Sequence, residues 1–242
     1  MKLEVQAIVF DLFHTLVDPE DFRPKDFRRA DVAAEITGLD KDQFATYWKD
    51  SWKLRMSSSK PEIEYLKEYA LKSGVSPSQS SFDEADRALR RYQDIAILNP
   101  REEVIDSLRS LKQEGYKLGL LSNTFEGDVR QWNRSRLAPC FDAVAFSHEI
   151  GIVKPEQGAF NIILERLGVS GSHSIFVGDG GSEELIGAKR AGFARAVFMR
   201  RFVLTNGMRT KEELEEIAKY ADASADTFEE LPSIIVHMQN GF

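Results

Sequence analysis

Short, continuous apolar runs recur along the chain at 5–10 (VQAIVF), 117–122 (KLGLLS), 143–147 (AVAFS), 174–178 (SIFVG) and 195–199 (RAVFM). Runs of this length, with branched and aromatic residues, are the pattern of strands buried on both faces. Helical periodicity fills most of the intervals. In NPREEVIDSLRSLKQEG the stripe is Val104, Ile105, Leu108 and Leu111, with Asn99 as the predicted cap, Pro100 in the first turn and Gly115 as the stop. In PEQGAFNIILERLG the stripe is Phe160, Ile163, Leu164 and Leu167, ended by Gly168. TKEELEEIAKY opens with a capping box from Thr210 to Glu213. Strands alternating with helices predict an α/β fold, a doubly wound parallel sheet with helices on both faces.

Residues 19–96 break the alternation and carry helical patterns alone. KDQFATYWKDSWKLRM places Phe44, Tyr47, Trp48 and Trp52 on one face, and helical spacing of that kind predicts the core of a helical unit rather than a substrate pocket. KPEIEYLKEYALKSG follows, and then SFDEADRALRRYQDIAI with a Ser81–Glu84 capping box. The expected organisation is an α/β core domain of 1–18 and 97–242, with a helical domain of 19–96 inserted after the first strand and left through AILNP, Ala96 to Pro100.

Of the 242 residues, 42% are hydrophobic and 29% charged, and the net charge is −7. Such a chain is an ordinary globular one, and its acidity argues against sequence-independent nucleic-acid binding. The one basic cluster, RQWNRSR (Arg130 to Arg136), is read as a solvated helix face. A single cysteine, Cys140 in LAPCFDAV, excludes an internal disulfide and a Cys-based zinc site and is expected to pack. The N-terminal apolar run is too short for a secretory signal, and no stretch approaches the ~20 apolar residues that span a bilayer. A cytoplasmic location is the expectation.

The chemistry sits at the ends of the predicted strands, which in a parallel sheet share one edge. The first ends on Asp11 and Thr15, the second on Ser122 and Asn123, the third leads to Lys154 in GIVKPE, and the fourth to Asp179, Glu183 and Glu184 in VGDGGSEELIGAKRAG. A carboxylate attacking an anionic substrate meets repulsion, so cations must stand close by. Lys154 is one, and Mg2+ held by Asp11 and Asp179 is another. Ser122 can donate a hydrogen bond to a transferring group. Gly178, Gly180 and Gly181 allow a tight turn.

DLFHTL, LLSNT, KPE and GDGGSEE, in this order and with a helical insert between the first and second, resemble the haloacid dehalogenase (HAD) superfamily of hydrolases and its helical-cap subgroup. The resemblance covers essentially the whole chain. It implies an aspartyl nucleophile at Asp11, a bracing role for Thr15, substrate contacts at Ser122 and Asn123, and an orienting cation at Lys154. It also implies Mg2+ at Asp11, Asp179, the backbone carbonyl of Phe13 and a second acidic residue. Glu183 and Glu184 both fall at spacings used for the second acidic residue; Glu184 fits better, because ELIGA then matches the acid-apolar-x-GA pattern.

The first motif departs from that of the family's phosphatases. They carry a second Asp two residues after the nucleophile, as the acid/base; here it is Phe13, and the next position, usually Gly, is His14. His14 is read as packing or facing solvent rather than replacing the acid. The family's 2-haloacid dehalogenases also place an aromatic residue at the Phe13 position. Against that assignment stand Asp179 with phosphatase-like spacing, Phe160 in place of their Tyr, and Lys49 at the aligned position of their cap arginine, with Arg55 a second candidate. The expected function is Mg2+-dependent hydrolysis of a small, anionic, phosphorylated metabolite. C–halogen hydrolysis is the second reading and a weakly active or inactive binding protein the third. Substrate identity and oligomeric state stay open.

Overall fold

The computed structural model describes residues 4–240. Six parallel strands form one sheet: β1 (Ala7–Phe10), β2 (Lys117–Ser122), β3 (Ala143–Phe146), β4 (Ser174–Gly178), β5 (Arg195–Met199) and β6 (Ala223–Ala225). Their order across the sheet is β3-β2-β1-β4-β5-β6. The chain builds outwards from β1 through β2 to β3, then crosses back to β4 and builds the other way. The direction reverses between β1 and β4, where open α/β sheets bind ligands beyond the strand ends. Register brings those ends level: Phe10 pairs with Leu120 on one side and Val177 on the other. The Asp11 N–H then donates to the Val177 carbonyl at 3.0 Å.

Between β1 and β2 lie α1 (Arg29–Thr37), α2 (Lys41–Asp50), α3 (Trp52–Met56), α4 (Glu62–Lys72) and α5 (Gln79–Leu98). They close around their own apolar cluster of Ala33, Phe44, Trp48, Leu66, Ala85 and Leu89, among others. The aromatic stripe packs as its spacing predicts, except at its end. Ser51 breaks α2 from α3 while its hydroxyl bonds back to the Tyr47 carbonyl at 2.8 Å, and Trp52, turned off the stripe, is 42% exposed. The α5 cap is Ser78, whose hydroxyl accepts from Ser81 N–H, three residues before the expected start.

The remaining helices are α6 (Glu102–Gln113), α7 (Ser147–Ile150), α8 (Gln157–Leu167), α9 (Glu184–Arg190), α10 (Lys211–Ala218) and α11 (Leu231–Asn240). Strand side chains alternate between two layers, as the pleat requires. Ile8, Phe10, Leu120, Val177 and Val197 face the cluster built with α6 and α11, while Ala7, Val9, Leu121, Phe176 and Phe198 face that of α8 and α9. Asn99 does not open α6. It ends α5, its side-chain amide donating to the Ile95 carbonyl, and α6 starts after Arg101. Two elements were not anticipated from the sequence: β6, the three residues ASA, and α11, whose stripe of Leu231, Ile235 and Met238 is buried. RQWNRSR is a short 3-10 turn, not a helix face; Trp132 is buried, and Arg130 and Arg136 pair with Glu126, Asp86 and Glu102. Cys140 is buried against the α6 layer.

Phe44 is fully buried, with its ring 5.0 Å from Trp48 and 5.3 Å from Tyr69. Truncating such a ring leaves a cavity, so Phe44→Ala is expected to lower stability by about 3–5 kcal/mol in urea unfolding. A loss below about 1 kcal/mol would show that the stripe does not carry this core.

Candidate active site

Lys154 is the centre of the site. Its side chain is buried, with Nζ 2.6 Å from Asp11 Oδ1 and 2.5 Å from Glu184 Oε2. Burial alone would lower the lysine's pKa, but the two carboxylates outweigh it and hold the ammonium charged. Glu184 is pushed the other way, well above the ordinary glutamate range, by burial and by the neighbouring Asp11 and Asp179 charges, against the pull of Lys154. The hydroxyl of Thr15, itself buried, donates to Asp11 Oδ2 at 3.2 Å and fixes the carboxylate from below. Asn123 clamps the lysine's backbone, its Oδ1 accepting from Lys154 N–H at 2.7 Å and its Nδ2 donating to the Lys154 carbonyl at 3.0 Å.

The loop after β4 is shaped by two glycines. A Cβ on Gly178 would stand 2.1 Å from Glu184 Oε1, so only glycine lets that carboxylate approach the strand end. Gly180 turns the chain at φ +80°, in the left-handed region, and Ser182 and Glu183 follow it there. The result separates the two candidate acids. Glu183 is exposed, while Glu184 is buried and lies with Asp11 and Asp179 in a group whose oxygens fall within 4.8 Å of one another. That group of hard oxygen donors can hold a metal ion. Asp179 is also bonded by Arg209, whose Nη2 donates to Oδ2 at 2.7 Å and whose Nη1 donates to the Asp179 carbonyl.

These groups line a cavity of about 330 Å³ between the strand ends and the helical insert, with Ser122, Phe13 and His14 in the same wall. Phe13 packs its ring on the apolar core and offers no proton to the cavity. His14 occupies a position at φ 63°, unfavourable for a side chain with a Cβ by roughly 1–2 kcal/mol. Its Nδ1 lies 2.8 Å from Asp18 Oδ1, which holds the ring in place. Burial opposes its charge, but the Asp18 bond and the Asp179 field outweigh burial and raise its pKa. His14, Asp18 and Glu20 form a second close group, but Asp18 is taken by His14 and Asn206 and Glu20 by Arg23.

Two expectations about the insert are corrected. Lys49 is exposed on α2 and does not line the cavity, because the stripe that buries Phe44 and Trp48 turns it outwards. Arg55 is buried but committed. Its guanidinium lies 3.7 Å over the Trp48 ring and 4.4 Å over Phe125, and donates to Glu62 and to the Trp48 carbonyl. The insert's cations at the cavity are Arg29, paired with Glu62 at 2.6 Å and Asp128 at 3.0 Å, and Arg23, which donates to Glu20 at 3.0 Å. Sequence reasoning missed Arg23, Arg29, Asn206 and Arg209. Nothing in their local pattern marks them, since Arg29 opens α1 of the insert and the other three lie on connections, all without strand-end placement. Phe160 is buried among Phe176 and Phe193.

Removing the lysine would leave the buried Asp11 and Glu184 carboxyl groups without the partner they share. Lys154→Met is therefore expected to cost about 3–5 kcal/mol in urea unfolding, and an unchanged midpoint would contradict the pairing.

Among the described residues, no helix is long and apolar enough to cross a membrane. Residues 5–192 match a family described as haloacid dehalogenase-like hydrolase. A stretch of 127 residues, 51% of the chain, is 32% identical to a glyceraldehyde 3-phosphate phosphatase of Methanothermobacter thermautotrophicus and covers 52% of that protein. The chain thus spans about half the length of this relative. An (S)-2-haloacid dehalogenase of Pseudomonas fluorescens is 24% identical over 72% of the chain and 75% of its own. In fold, a HAD phosphatase from Thermococcus onnurineus superimposes with a TM-score of 0.63 at 24% identity, over 96% of this chain and 98% of the other. L-2-haloacid dehalogenase from Xanthobacter autotrophicus, with chloropropionic acid covalently bound, does so with 0.59 at 20% identity, over 97% and 99%. With the match spanning most of the chain, and the sheet, insert and strand-end residues arranged as described, the protein belongs to the haloacid dehalogenase-like hydrolases.

Proposed function

We propose that the protein is a Mg2+-dependent phosphohydrolase that attacks a small phosphorylated metabolite with Asp11 and favours substrates with a good leaving group. The observation that carries this is the buried group of Asp11, Asp179 and Glu184 lining the cavity, with Lys154 bridging Asp11 and Glu184. Asp11 and Asp179, with the Phe13 carbonyl, would hold the ion. When bound, Mg2+ draws off charge from the phosphoryl oxygens.

Asp11, aimed by Thr15 and Lys154, forms an O–P bond as the bond from phosphorus to the leaving oxygen breaks, and the electron pair leaves with that oxygen. Ser122 donates to a phosphoryl oxygen, and Lys154 balances the negative charge. Water then cleaves the aspartyl phosphate, releasing phosphate and restoring the carboxylate. Asn123 contributes by holding Lys154 in place, and the insert (residues 19–96) acts as the cap over the cavity. Phe13 cannot protonate a leaving alkoxide, whereas a carboxylate leaves an acyl phosphate without needing a proton. General acid–base help is worth about 10²–10⁴-fold, so that is the discrimination expected. The phosphatase relatives, which act on glyceraldehyde 3-phosphate, support a small phosphorylated substrate.

The second reading, C–halogen hydrolysis, is favoured by the aromatic Phe13, because a departing halide needs no proton. Against it stands the acidic group at Asp179 and Glu184, which a haloacid does not require.

The test is a release assay with and without Mg2+, using Asp11→Asn as the blank. Acetyl phosphate is expected to turn over with a kcat/KM about 10²–10⁴ times that for glyceraldehyde 3-phosphate, and Asp11→Asn to abolish both. Equal rates would overturn the leaving-group assignment, and no phosphate from either would overturn the phosphatase. Chloride released from 2-chloropropionate without Mg2+ would establish the second reading in its place.

A further inference from the structure

Arg209 lies outside every strand-end motif, yet it makes the strongest polar contact that Asp179 has. Its Nη2 donates to Asp179 Oδ2 at 2.7 Å and its Nη1 to the Asp179 carbonyl, so one guanidinium grips the side chain and the main chain of the same residue. The other carboxylate oxygen, Oδ1, accepts the Gly181 N–H at 3.1 Å.

The connection that carries Arg209 is anchored on both sides. Phe202 and Val203 are buried at its start. Asn206 donates to Asp18 Oδ2 at 3.0 Å, and Thr210, the next residue after Arg209, caps α10 through a reciprocal bond with Glu213. Arg209 lines the cavity wall with its side chain only 19% exposed.

The charges at the centre divide accordingly. Asp11 and Glu184 share Lys154, and Asp179 has Arg209 to itself. A divalent cation held by Asp179 must share Oδ2 with a guanidinium or sit within a few ångströms of it, and two like charges at that range repel. We propose that Arg209 is a positioning residue that sets, and weakens, the affinity of this centre for its divalent cation while holding Asp179 in its ligating orientation. The inference rests on the reading of Asp11 and Asp179 as the cation site. It predicts a centre tuned to take the ion loosely, where Asp11 and Lys154 are already paired and oriented by the protein alone.

The test is Mg2+ binding by isothermal titration calorimetry, without substrate, on the wild type, Arg209→Gln and Arg209→Lys, each shown to be folded by its thermal melt. Glutamine keeps an N–H donor and removes the charge; lysine keeps the charge and loses the fork. If Arg209 acts by charge, Arg209→Gln binds Mg2+ about tenfold more tightly, on the order expected for removing one partly screened like charge. Arg209→Lys then stays near the wild type. A role confined to bracing Asp179 moves the affinity the other way, so equal or weaker binding by Arg209→Gln overturns the inference. Binding by none of the three proteins at millimolar Mg2+ overturns the cation site itself, and with it the metal-dependent reading. The two failures are therefore separate results.

Discussion

A buried ammonium between two buried carboxylates sets the terms for everything around it. An ion taken out of water costs several kcal/mol unless partners replace the lost hydration, and Lys154 replaces it with Asp11 and Glu184 together. That arrangement demands three strand ends at one level. β1 must present Asp11, the loop after β3 must present Lys154, and the turn after β4 must leave room for Glu184, which is why Gly178 has no side chain. The parallel register and the reversal of strand order between β1 and β4 supply the common edge. The fold therefore serves the site chiefly by holding charges that would separate in water.

The residues on strand ends were legible because an apolar run that stops on a polar residue announces both the strand and the group it delivers. Asp11, Ser122 and Asp179 follow from that rule, and Lys154 and Glu184 from motif spacing. Motif spacing favoured Glu184 over Glu183, and the left-handed backbone at Ser182 and Glu183 is what turns Glu184 inwards and leaves Glu183 in water. Lys49 was misplaced because alignment across a helical insert fixes the helix but not its rotation, and the burial of Phe44 and Trp48 decides the rotation. Arg209 and Asn206 were invisible because a connection has no period from which to read a direction. β6 was missed for a related reason: three small residues make no apolar run, and β6 exists because β5 offers it hydrogen bonds.

The insert meets the core through charge as well as packing. Arg29 of α1 reaches Asp128 of the core, and Arg55 is stacked between Trp48 of the insert and Phe125 of the core. The Ser147 hydroxyl, at the start of α7, contacts the Met56 carbonyl at 2.7 Å and accepts the Thr124 N–H at 2.9 Å. The end of α3 is thereby tied to the segment that follows Ser122 and Asn123. Guanidinium groups suit such a seam, since they stack on rings and donate in a plane at once.

The sheet ends at both sides on short strands, four residues in β3 and three in β6. Exposed edges of a parallel sheet are templates on which a foreign strand can grow, and brevity is one way proteins refuse it. At β3 the refusal is reinforced, because Arg166 of α8 donates to the Val144 carbonyl and occupies an edge acceptor. Short strands at both edges and a capped acceptor at β3 leave little unpaired backbone on which a further strand could be added.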